Sequence, residues 1–221
     1  MARDFGYLFA LLLIWRLMML FFRCPRFFVV LSLVLFFSLT DALADSDLDA
    51  NDTKHYKWFL TLYGGPHAQP DFYHVLRFDM SFEDDTYIAV AALARELWRY
   101  KDWVSFEVEG QVGKHFGGEH QGQLTGLIVG RWHWFPWDKY IDTSLAAGEG
   151  VSWNTKISKI EKEDNDDAIR WLNYLLVEVT FGLPEYPRWS LVYRIHHRSS
   201  NSGLIGAGGS NYVTGGIKFS F

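Results

Sequence analysis

The chain has 221 residues, 18% of them aromatic, and a formal net charge of −5 at neutral pH. That length suits one domain plus a removable leader, and an acidic balance without basic clusters argues against nucleic acid as a partner. A near-neutral mean hydropathy alongside so many rings is too polar for a bundle of membrane helices; it fits a β-barrel, whose strands average one apolar and one polar face.

The long apolar runs lie at the front, Tyr7 to Trp15 and Phe27 to Leu39, the second preceded by Arg23 and Arg26 and followed by Asp41-Ala42-Leu43-Ala44. A basic stretch, an apolar core and an Ala-x-Ala end read as a secretory signal peptide over residues 1–44, cleaved after Ala44. Neither run alone reaches the ~20 residues a helical span needs. Met18 and Met19 stand just before the second run, so translation is expected to begin there, with residues 1–17 an over-extended start. The sole cysteine, Cys24, leaves with the leader, so no disulfide or lipid attachment is expected. Residues 45–56 are acidic and aperiodic, a periplasmic N-terminal tail, and residues 57–221 form the barrel.

Strand-like runs follow near Lys57 to Gly64, Thr86 to Trp98, Trp103 to Gly113, Gln121 to Phe135, Tyr140 to Glu149, Trp171 to Gly182, Trp189 to His197 and Ser210 to Phe221. About eight strands is the smallest usual number for an outer-membrane barrel. Gly64-Gly65-Pro66 and Gly117-Gly118 read as turn chemistry. Connections at Arg99 to Asp102, Pro136 to Asp138 and Leu183 to Arg188 are tight, whereas Gly65 to Asp85, Val151 to Arg170 and Arg198 to Gly209 are long. The acidic run Glu161 to Asp167 marks the second long loop as solvated. Short periplasmic turns and generous outer loops are what such barrels require.

Alternation assigns the faces. In the third strand Val104, Phe106, Val108 and Val112 share one parity and Ser105, Glu107, Glu109 and Gln111 the other, so the first set faces lipid. In the last strand Val213, Ile217, Phe219 and Phe221 oppose Thr214, Lys218 and Ser220. The Ala-rich second strand gives no clear face. A soluble lipid-binding barrel would show the same alternation with reversed polarity; Trp98, Trp103, Trp132, Trp134, Trp137 and Trp189, gathered near the periplasmic ends, favour a membrane belt instead.

The seventh strand places Trp189, Leu191, Tyr193 and Ile195 outward and Ser190, Arg194 and His196 inward. His197 and Ser199 are odd and therefore also outward, near the extracellular end, and Asn211 shares the outward parity of Val213. Solvated rim residues would account for such a trio. So would a serine hydrolase acting on lipid, with Ser199 attacking an ester, His197 moving the proton and Asn211 holding the tautomer. Arg194, His196 and Arg198 point inward with Glu107, Glu109, Glu178, Arg131 and His133, a buried network of paired charges. No metal-ligand spacing of the His-x-x-x-His kind occurs.

The stretch Ile195-His196-His197-Arg198-Ser199-Ser200-Asn201-Ser202-Gly203-Leu204, followed by Gly208-Gly209-Ser210-Asn211 and a terminal alternating strand, resembles the lipid A 3-O-deacylase (PagL-type), acyloxyacyl hydrolase family of outer-membrane barrels. The resemblance covers about the last 35 residues. It implies an all-β, eight-stranded antiparallel transmembrane barrel with a His-Ser-Glu triad on its outer face that removes an ester-linked acyl chain from lipid A, without a cofactor. His197 matches the base and Ser199 the nucleophile. The family has Asn directly after Ser, contributing to the oxyanion hole; here Ser200 intervenes before Asn201, and Gly203 is the other candidate donor. The matching position for Glu is Asn211, and no carboxylate of outward parity is expected nearby. The expected partners are lipopolysaccharide and the outer membrane, and a homodimer is compatible with the pattern. The competing expectation is a non-catalytic barrel, structural or a small channel, that has lost the acidic member of the triad.

Overall fold

The computed structural model describes residues 55–164, 168–200 and 208–221. The leader assigned to residues 1–44, most of the tail, and both Asn201 and Gly203 lie outside the described residues. Eight strands close into one antiparallel barrel: β1 (Trp58–Gln69), β2 (Ser81–Tyr100), β3 (Val104–Gly117), β4 (Gly122–Trp132), β5 (Asp142–Asn154), β6 (Trp171–Gly182), β7 (Trp189–Ser199) and β8 (Gly209–Ser220). Each pairs with its sequence neighbour, and β8 returns to β1 through Phe59↔Ser220 to Ala68↔Asn211. Closure leaves no unpaired edge among the strands, the condition for holding a sheet in a bilayer.

The period-two pattern survives folding. On β3, Ser105, Glu107, Glu109 and Gln111 are buried while Phe106 and Val108 are exposed. On β8, Thr214 and Lys218 are buried and Ile217 is exposed. The second strand does have faces: Ile88, Val90, Ala92 and Ala94 point inward, with Ala89, Ala91, Leu93 and Leu97 outward. Both faces are apolar, so polarity could not separate them.

The interior holds a continuous set of paired charges, as an eight-stranded barrel is just wide enough to be filled by side chains. Glu178 accepts from Arg131 at 2.8 Å, Lys218 at 2.7 Å and Arg194. Arg194 also donates to Glu109 at 2.8 Å, and Arg131 to Glu107 at 2.6 Å. Toward the opposite mouth His196 contacts Tyr63 at 3.2 Å, Tyr174 at 3.1 Å and Gln123 at 2.8 Å. Buried ions are tolerable only when paired and bonded in this way.

At the end carrying the tight turns, Trp98, Trp103, Trp132, Trp134, Trp137 and Trp189 are all exposed. Trp103 approaches Trp132 and Trp134 at 6.2 and 6.3 Å between centroids, forming the aromatic belt expected there.

Two local readings differ from expectation. Gly64, Gly65 and Pro66 belong to β1, which runs on to Gln69 with an irregularity between Pro66 and Ala68; a Cβ at Gly65 would stand 1.9 Å from the Val213 carbonyl oxygen, so glycine here permits close approach to β8 rather than a turn. By contrast Gly117 adopts φ +83° at the β3–β4 turn, as its sequence context predicts. The acidic loop is not uniformly solvated: Glu161, on a short helix α2 (Lys159–Asp164), is fully buried and paired with Arg198 at 2.5 Å.

Candidate active site

Two adjacent strand ends build the site. β7 and β8 pair antiparallel with His197 opposite Asn211 and Ser199 opposite Gly209, so register alone places the imidazole beside the amide. His197 Nδ1 donates to Asn211 Oδ1 at 2.6 Å. With its proton committed to Nδ1, the ring presents the lone pair of Nε2, which is the tautomer a general base needs. His197 and Ser199 are half-buried and alternate with the inward Arg198, which is fully buried.

Ser199 lies two positions along the same face, so its Cα is roughly 6.6 Å from that of His197 by strand rise. No hydrogen bond joins the two side chains among the described residues. Catalytic hydrogen bonds often tighten only when substrate arrives. Ser200 N–H donates to the Gly208 carbonyl at 3.0 Å, closing the base of the β7–β8 loop.

The lumen side braces this pair from behind. Arg198 donates to Ser152 at 2.8 Å and to Glu161, and Ser210 Oγ reaches the same Glu161 carboxylate at 3.1 Å. Burial pushes the Glu161 carboxyl up, against the opposing pull of Arg198 and Ser210. One residue on α2 therefore ties β7 and β8 together immediately inside the candidate site.

The outer wall here is covered, which the sequence did not indicate. The β1–β2 connection forms a short helix α1 (Phe72–Leu76) capped by Asp71. Val75 buries fully with Ala68 on β1 and Ile195 on β7, and Phe72, Met80, Val177, Tyr193 and Val213 pack around them. Phe72 stacks on His197 with centroids 4.5 Å apart and planes at 29°. Asp71 accepts from the His74 backbone N–H at 3.0 Å and from His74 Nδ1 at 2.9 Å. These contacts, the backbone one foremost, hold the Asp71 carboxyl below the usual carboxylate range. Asp71 is a favoured N-cap residue type, a local signal too weak by itself to locate a five-residue helix.

The expectation that no carboxylate of outward parity lies nearby is also corrected. Glu149 on β5 is outward and exposed, in the ladder row Glu149–Leu175–His197–Asn211. Leu175 separates it from His197 by two strand spacings, about 9.6 Å. Glu178, as expected, faces the lumen.

No family model matches the chain, and no curated protein matches it. Among solved structures it is similar to the outer membrane enzyme PagL, at 12% identity and a TM-score of 0.50 over 74% of this chain and 99% of that one. Neisserial surface protein A matches at 9% identity and 0.46, covering 74% and 96%, and a de novo designed transmembrane β-barrel at 13% and 0.45, covering 77% and 99%. At 12% identity the likeness to PagL shows the fold alone, that of an eight-stranded outer-membrane barrel.

Proposed function

We propose that this chain is an outer-membrane esterase that removes an ester-linked acyl chain from lipid A in the outer leaflet, having been exported by the leader in residues 1–44. The observation that carries this reading is the 2.6 Å bond from His197 Nδ1 to Asn211 Oδ1, on the outward face shared with Ser199. An interior bond of that kind would be one more member of the lumen network; this one lies on the outer wall, beneath the β1–β2 connection, with Asn211 buried.

In the first step Ser199 Oγ attacks the ester carbonyl while its proton passes to His197 Nε2. The C–O bond to the sugar breaks, and the imidazolium returns the proton to the leaving alkoxide. Water, deprotonated by the same Nε2, then cleaves the acyl-enzyme; the fatty acid leaves and Ser199 regains its proton. The balance closes with no cofactor. Asn201, or in its place a backbone N–H at Gly203, is the proposed donor to the oxyanion.

Asn211 orients the ring but adds no charge to the imidazolium. In serine proteases an equivalent change lowers the rate about 10⁴-fold. This favours the second reading, a barrel of the same architecture without catalysis. Of its two forms the structural protein fits better than a channel, because Arg194, Glu178 and His196 fill the lumen and have no exposure. Lipid A mass spectra from cells producing the protein discriminate the two. The hydrolase removes one hydroxyacyl chain with Ser199 present and none with Ser199→Ala; identical spectra would leave the non-catalytic barrel.

A further inference from the structure

We propose that Asp71, carried on the loop that folds over the outer wall, supplies through space the negative charge that Asn211 does not give the His197 imidazolium, and so acts as an electrostatic positioning residue. The inference rests on the hydrolase reading above.

Position comes first. β1 runs alongside β8, pairing Ala68 with Asn211, so the chain leaves the barrel beside the amide that holds His197. Asp71 follows three residues later and caps α1. The helix cannot drift from this place without exposing Val75, which is fully buried against Ala68 and Ile195. The next residue, Phe72, lies flat on the His197 ring at 4.5 Å. Asp71, one residue from that contact, is thereby anchored beside His197 by the apolar docking of Val75 and by the ring stack.

Charge is the second element. Asp71, a carboxylate one residue from the stacked ring, favours the imidazolium by the attraction of opposite charges. Its carboxylate is ionised whenever His197 is a competent base, because the His74 N–H groups stabilise the anion. Nδ1 is already taken by Asn211, so Asp71 makes no hydrogen bond to the ring and cannot set its tautomer. The two roles that one acidic residue performs in a conventional triad are here divided, orientation to Asn211 and charge to Asp71.

Asp71 is exposed to solvent, which screens its field. The expected contribution is therefore modest, roughly three- to tenfold in rate for a charge at this range near a protein surface.

The test is run on the full-length barrel in vesicles containing lipid A, measuring kcat and KM for release of fatty acid. Asp71→Asn and Asp71→Ser both keep an N-cap acceptor, so α1 retains its cap while the charge is lost. Each should lower kcat three- to tenfold and leave KM within twofold. The charge acts through solvent, so the loss should shrink to less than twofold at 1 M salt, where the screening length is about 3 Å. An unchanged kcat in the single variants would overturn the inference, as would a loss that salt leaves unaltered, which marks a merely structural loop. In both cases Ser199-dependent turnover would still stand. Absence of Ser199-dependent turnover in the unaltered protein would instead remove the hydrolase reading, and this inference with it.

Discussion

Phe72 lies against His197 with ring centroids 4.5 Å apart, so the first outer loop touches the imidazole that the barrel turns toward lipid. The docking is small, and its main apolar anchor is Val75. Removing one aromatic partner forfeits its burial and about 0.5–1.5 kcal/mol of ring contact. Phe72→Ala should therefore leave thermal unfolding of the barrel nearly unchanged while local opening of residues 70–80 becomes about tenfold more frequent. Protease cleavage in that segment, followed in detergent, measures the opening; cleavage at the wild-type rate would mean that Val75 alone holds the helix.

Asn211→Asp replaces the amide by an isosteric carboxylate, with its oxygen already 2.6 Å from His197 Nδ1. The geometry stays and a charge is added. The rate of Ser199-dependent ester hydrolysis should rise at least tenfold, with a ceiling near the 10⁴-fold that the reverse exchange costs in serine proteases. Asn211→Leu should lower it, since the ring then loses its orienting acceptor. Steady-state kinetics on lipid A vesicles at constant pH reads both.

Much of the barrel was legible because lumen and lipid impose opposite chemistry at a period of two. Glu107 and Glu109 against Phe106 and Val108 leave one solution for β3, and the same parity carried His197 and Ser199 outward. Legibility failed where that contrast vanished. Ile88 to Ala94 on β2 are apolar on both faces. Glu149 is polar on the lipid-facing side. A five-residue helix spans under two turns and shows no periodicity, so α1 was hidden inside a loop, and with it the cover over His197. Gly65 misled differently: glycine serves both turns and close strand contact, and only the 1.9 Å approach of its absent Cβ to β8 separates the two.

Glu178 is the point where three cations meet, Arg131, Arg194 and Lys218, none of them exposed to more than a trace of solvent. Glu178→Leu leaves all three facing one another without the shared anion. Breaking a buried pair in this manner costs about 3–5 kcal/mol, more than a comparable apolar truncation on the outer wall. Urea unfolding of the refolded barrel should show a loss of that size. A change below about 1 kcal/mol would mean that Glu107 and Glu109 suffice to balance the lumen.

His133 sits just beyond the end of β4, accepting or donating to Ser105 Oγ at 2.8 Å. Burial, reinforced by the positive charges of Arg99 and Arg131, drives its imidazole down to about 3, so the folded protein keeps it neutral. The unfolded chain takes up the proton near 6.5. The sign follows from that difference: stability is complete above pH 6.5 and drains away as pH falls from 6.5 toward 3, because protons bind the unfolded state first. The ring is only half-buried, so solvent screening limits the loss to about 1–2 kcal/mol by pH 4.5. His133→Asn keeps a hydrogen-bonding group beside Ser105 without titrating. The gap in thermal midpoint between wild type and this variant should therefore move against the wild type as pH drops from 7 to 4.5. A gap that stays constant across that range would show that His133 is free to take its proton in the folded barrel.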